Sequence, residues 1–225
     1  KTENRLTHIR DRDSIGLLYE PQDYSGRAAE DLQYLRGEAY NLAGNYEKAL
    51  YNFRGFLGTY AFSGLKNYVR LGAGWALLNL ERYEDALETT VKIDEIKKAN
   101  GRDIIRFADL ARREGKYEIS LKAYGYVIDN TDNSQFLPTA LFGYARALEQ
   151  KFLVSKKISP KDAQRIIERY RHIIGKFPRR SNAADSRYRI AVLALDHLGD
   201  VDMAKQELQK LVRDFPRTRV SAVAY

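Results

Sequence analysis

Apolar and small residues recur through Arg27–Tyr60 at the spacing of a helix face, with polar positions between them. The stretch reads as one helix, a tight turn at Gly44-Asn45 and a second helix. Small residues fall where two helices must touch, at Gly37 and Ala49, twelve apart, and Tyr40, Tyr46 and Phe53 fill the rest of that contact. The layout recurs. First-helix small residues come at Gly37, Gly74, Ala108 and Gly143, with Val192 a poorer match, in steps of 37, 34, 35 and 49. Gly74 is therefore expected at a helix–helix contact that a larger side chain would overpack. Twelve residues after these come Ala49, Ala86, Ser120 and Ala204. In the fourth repeat the equivalent is Ile166, 23 after Gly143, so an insertion is expected near 150–162, either lengthening the helices or forming a projecting loop.

The punctuation repeats too. Gly44-Asn45-Tyr46, Gly115-Lys116-Tyr117 and Gly199-Asp200-Val201 put glycine where a helix ends. Glu81-Arg82-Tyr83 lacks it and should be the less comfortable turn. Phe177-Pro178 and Phe215-Pro216 close the last two repeats. Residues 1–26 are polar and irregular, or the end of a preceding repeat, with Pro21 and Gly26 as breaks. Helix–turn–helix units repeating every 34 to 38 residues predict an all-α solenoid over 27–225, each unit burying its apolar face on the next.

The succession of small residue, Tyr, Gly-x-Tyr, Ala and Phe resembles the tetratricopeptide repeat family. The resemblance covers about five repeats and implies a right-handed superhelix whose first helices line a concave groove. Closer to the C-terminus, KFPRRSNAADSRYRIAVLALDHLGDVDMAKQELQKLVRDFPRTRVSAVAY is similar to repeats of two bacterial envelope proteins. These are the outer-membrane assembly lipoprotein and the Tol-Pal coordinator. That implies a periplasmic, outer-membrane-associated scaffold, with a cytoplasmic regulatory scaffold as the alternative.

Composition narrows the chemistry. There is no cysteine, which excludes disulfides, Cys-ligated zinc and thiol catalysis. His8, His172 and His197 lie in different repeats without metal-ligand spacing, and no HExxH, GxSxG or P-loop occurs. No enzyme, catalytic residue, metal or cofactor is expected. No apolar run is long enough to span a membrane. The net charge of +8 is spread along the chain. Lys156-Lys157, Arg179-Arg180, Arg187 and Arg189 form short clusters interrupted by acids, so no nucleic-acid partner is expected.

The expected partner is another protein, most simply an acidic peptide segment, or an anionic glycan of an exopolysaccharide-export system. Helical spacing assigns Tyr34, Glu38 and Asn41 to the groove face of the first repeat, and Tyr68, Leu71, Trp75 and Asn79 to the second. Arg102, Arg106, Asp109 and Arg113 follow in the third, Tyr144 and Leu148 in the fourth, Arg189 and His197 in the fifth. Trp75, the single Trp, is either a stacking anchor in the groove or a packing residue. Arg102, Arg106 and Arg113 form a stripe that is either a solvated face partly paired with Asp109 or a clamp for carboxylates. The carboxylate clamp of heat-shock cochaperones needs Lys and Asn where this chain has Tyr34 and Glu38.

Overall fold

A computed structural model describes residues 26–131, 135–155 and 158–223. The expectations for 1–25, His8 among them, and for Lys156-Lys157 lie outside these residues. Among the described residues the chain is helical, without strands. They fall into two compact units divided between Lys97 and Lys98. The first holds α1 Arg27–Leu42, α2 Tyr46–Thr59, α3 Lys66–Asn79 and α4 Tyr83–Lys97. The second holds α5 Arg102–Arg113, α6 Tyr117–Asn130, α7 Leu137–Val154, α8 Pro160–Lys176, α9 Ser181–Leu193, α10 Val201–Asp214 and α11 Arg219–Val223, with a π-helical turn, Ala194–Leu198, extending α9. Within each unit consecutive helices pack as antiparallel hairpins, and first helices also touch one another: α1 on α3, α5 on α7, α7 on α9. This is the helical-hairpin solenoid that the repeats predict. No helix of the described residues is long and apolar enough to cross a membrane.

Backbone chemistry explains the turns. Gly44, Gly115 and Gly199 take positive φ of 74°, 74° and 66°. The residue after each glycine donates its N–H back into the helix, as Asn45 does to the Tyr40 carbonyl at 2.8 Å and Lys116 to that of Ala111 at 2.8 Å. Glu81 makes the same turn at φ 59° without glycine's freedom, a conformation that costs a side-chain-bearing residue about 1 kcal/mol or more. In the fifth hairpin Asp200 N–H reaches the Ala194 carbonyl, one residue further back than in the other turns. The π-helical turn supplies that extra residue. It explains why Val192 fits the pattern poorly: the buried small position has moved to Ala191.

The core consists of the small and aromatic positions. Ala49, Phe53, Ala86, Ala108 and Tyr124 have no exposed surface, and Ala204 almost none. Ser120, an apparent defect at an Ala position, is satisfied by donating to the Ala108 carbonyl at 2.8 Å. Gly37 and Gly72 grip the Phe53 ring from two helices: a Cβ on either would fall 2.3 Å and 2.6 Å from its nearest ring carbon. Gly143 does the same to Tyr124, at 2.3 Å.

Two first-helix positions, Gly74 and Gly143, are corrected here, and one of the two alternatives for the insertion is chosen. Gly74 is not at a tight contact; a Cβ there would meet only Thr89 Cγ2, at 3.8 Å. The crowded glycine is Gly72, packed on the aromatic of the preceding hairpin, and Gly143 belongs with it. The position of the fourth repeat that packs within its own hairpin is Ala145, buried in one cluster with Ile166 and Tyr170. The insertion lengthens helices rather than projecting as a loop. α7 and α8 are 18 and 17 residues long. Ile158, between them, is 4% exposed, and Phe152 packs on the same cluster, while Leu153 and Val154 are exposed. Ser159 caps α8 by accepting the Asp162 N–H at 3.1 Å.

Candidate partner-binding groove

In the first unit, α1 and α3 enclose a cavity of about 300 Å³ lined by Tyr34, Glu38, Asn41, Leu42, Tyr68, Leu71, Gly72 and Trp75. The α1 residues follow one another by four, three and one; the α3 residues by three, one and three, so each set leaves one helix face. Gly72 lets the faces come close: a Cβ there would lie 2.5 Å from Glu38 Oε1. Asn41 fastens them by donating Nδ2–H to the Gly72 carbonyl at 3.0 Å.

The lining joins exposed apolar surface to desolvated polar groups. Leu42, Tyr68, Leu71 and Trp75 are all more than two-fifths exposed, an unusual concentration of wet apolar surface. Trp75 stands 46% exposed on the cavity side. Tyr34 is nearly buried, and burial, with Glu38 and Tyr68 adding to it, pushes its hydroxyl above the ordinary tyrosine range. Burial alone pushes the Glu38 carboxyl up to about 7. Asn41 Oδ1 is buried and accepts no hydrogen bond.

The remaining sequence-predicted residues belong to the second unit and are not one site there. Arg102 and Arg106 stand on α5, 47% and 73% exposed, each 3.6 Å from the buried Asp103. Arg113 is exposed at the end of α5. Asp109 is not their partner; it pairs with Arg112 at 3.4 Å and accepts the Tyr124 hydroxyl at 2.6 Å. Tyr144 faces the second helices: it lines a recess with Arg165, Glu168 and His172, and the Arg169 guanidinium sits 5.7 Å from its ring centre.

Arg189 is a correction. Its guanidinium forks onto Glu149, a carboxylate 1% exposed that also takes Arg146 at 3.1 Å and the Tyr170 hydroxyl at 2.8 Å. Burial draws Arg189 down to about 10. This is an internal ionic network, not a docking surface. Arg187, counted among the basic clusters, is likewise spent on Glu207 at 2.8 Å and Asp214 at 3.4 Å. Sequence reasoning missed Leu42 and Gly72 in the groove. The i+4 spacing of Gly72 from Tyr68 was the signal for the second.

Among the described residues no group of His, Asp or Glu is arranged to hold a metal ion. The family model for the tetratricopeptide repeat matches residues 185–218, from within α9 through α10. No curated protein sequence matches the chain. Among solved structures, yeast Tom70 superposes with a TM-score of 0.50 at 15% identity, over 87% of this chain and 38% of that one. YrrB, described as a TPR protein with an unusual peptide-binding site, gives 0.48 at 14%, over 86% and 90%. MamA from Desulfovibrio magneticus RS-1 gives 0.47 at 13%, over 84% and 97%. The similarity to Tom70 concerns the fold.

Proposed function

We propose that the chain is a non-catalytic scaffold that holds a segment of another protein in the groove between α1 and α3. The observation that carries this reading is the α1–α3 cavity itself. It presents two half-exposed aromatic rings, two exposed leucines, the desolvated Glu38 carboxyl and one buried acceptor, Asn41 Oδ1, with nothing bonded to it. Exposed aromatics next to desolvated polar groups are the composition of an interface centre. A groove already shaped by packed helices also lowers the ordering penalty of binding. Separately, the exposed Arg106 and Arg113 of α5 suit acidic residues of a partner.

The setting we propose is a bacterial cell-envelope complex, periplasmic and associated with the outer membrane. What supports it is the Phe177-Pro178 to Phe215-Pro216 phrasing, which is similar to repeats of envelope scaffolds. Fractionation of the organism of origin tests this: recovery in the cytosol rejects it in favour of a cytosolic scaffold.

The binding reading is tested by placing a photo-cross-linking amino acid at Leu71, with exposed Lys122 on α6 as control. A defined adduct at 71 and none at 122 is expected; equal labelling at both rejects the groove. The aromatic lining also suits a sugar ring, so neutral and acidic oligosaccharides are titrated alongside while Trp75 fluorescence is followed. A response to sugar and none to protein would support the glycan reading instead.

A further inference from the structure

The groove has a chemical preference that its shape alone does not state. Glu38 and Asn41 lie one turn apart on α1, and both line the cavity. Among the described residues no donor reaches the Glu38 carboxylate, and no cationic side chain lines the cavity. Asn41 has committed its amide N–H to the Gly72 carbonyl, which leaves Oδ1 as a buried acceptor without a donor. A buried acceptor left unmade carries a penalty that a matching donor relieves. The walls around these two acceptors are the rings of Tyr34, Tyr68 and Trp75, whose faces attract a cation.

We propose that this cavity receives a lysine or arginine side chain of the partner segment, its charged head on Glu38 and Asn41 Oδ1 and its methylene stem along Tyr68, Leu71 and Trp75. Most of the lining then has a use. The carboxylate gains the counter-charge it lacks, the orphan acceptor gains a donor, and the exposed apolar surface is covered by an aliphatic stem. Arginine offers more donors than lysine to a site with two acceptors. The chemistry is the reverse of that offered by the α5 arginines of the second unit.

This inference rests on the groove reading and is tested separately from it. The probes are blocked nonapeptides with degenerate flanking positions around a fixed central residue: Arg, Lys, norleucine, Gln or Glu. Binding is followed by Trp75 fluorescence, with wild type and Glu38→Gln, which removes the charge and keeps the shape. Arg and Lys peptides are expected to bind about tenfold or more tighter than norleucine peptides to wild type, and to lose most of that margin on Glu38→Gln. If peptides bind but Arg, norleucine and Glu are equivalent, the groove stands and the cation preference is overturned. If no peptide perturbs Trp75, or only an oligosaccharide does, both readings fall. Glu38→Asp, which keeps the charge, is expected to retain the preference; its loss would also overturn the assignment to the carboxylate.

Discussion

Gly72 and Gly74 lie two residues apart on the same helix, and alanine at each should move stability in opposite directions. In the middle of a helix, alanine is favoured over glycine by about 1 kcal/mol. At Gly74 nothing opposes that gain, since the new methyl would stand 3.8 Å from Thr89 Cγ2, ordinary contact. At Gly72 the methyl would fall 2.5 Å from Glu38 Oε1 and 2.6 Å and 2.9 Å from Phe53 Cζ and Cε2. Glu38 can swing its carboxylate aside. Phe53 cannot retreat, because it is fully buried and held on its other side by Gly37. Overpacking of this kind costs about 1–3 kcal/mol, so after the helix gain the net effect of Gly72→Ala is a loss of up to about 2 kcal/mol. Gly74→Ala should gain about 0.5–1 kcal/mol. Urea unfolding followed by Trp75 fluorescence reads both, since Trp75 reports on the unit concerned. A Gly72→Ala protein as stable as Gly74→Ala would refute the assignment of Phe53 to the contact between hairpins.

Three further outcomes are expected. Glu81→Gly should raise stability by about 0.5–1 kcal/mol by relieving the left-handed turn at φ 59°, checked by the unfolding midpoint; a loss would mean that the turn is unstrained. Arg189→Ala should destabilise the second unit by about 3–5 kcal/mol, because Glu149 stays buried without its main counter-charge; a loss under 1 kcal/mol would show the pair to be dispensable. The Glu38 carboxyl ionises near 7 when folded and near the ordinary carboxylate range when unfolded, so the unfolded chain gives up its proton first as pH rises. Relative to Glu38→Gln, wild type should lose up to about 3 kcal/mol between about pH 4.5 and 7, with the difference absent at lower pH. Parallel pH curves for the two proteins would show that Glu38 is not desolvated.

What was legible in the sequence was whatever one helix or one turn decides. The glycine turns, the Phe-Pro stops and the aromatic at Phe53 are local, and so are the faces of α1 and α3, which placed Tyr34, Glu38, Asn41, Tyr68, Leu71 and Trp75 in the groove. What was not legible depends on a partner far along the chain. Arg189 looks like a groove cation on α9 until Glu149, 40 residues earlier, takes it inside. Spacing sets Gly72 on the Tyr68 face and Gly74 twelve before Ala86, but which of the two meets a crowded neighbour is decided by the ring of Phe53. The π-helical turn displaced the fifth repeat by one residue, and no composition signal marks it. Asp109 divides the same way: its i+3 neighbour Arg112 is visible on a helix wheel of α5, but the Tyr124 hydroxyl that also occupies its carboxylate comes from α6.

Whether a protein partner docks on α1 and α3 is decided by its affinity for two single-site variants. With the partner captured at Leu71 in hand, titration calorimetry compares wild type with Trp75→Ala and with Lys122→Ala. Trp75 is 46% exposed, so its removal should leave the fold standing. Binding should weaken about tenfold or more for Trp75→Ala and stay unchanged for Lys122→Ala. Wild-type affinity in Trp75→Ala would contradict the account.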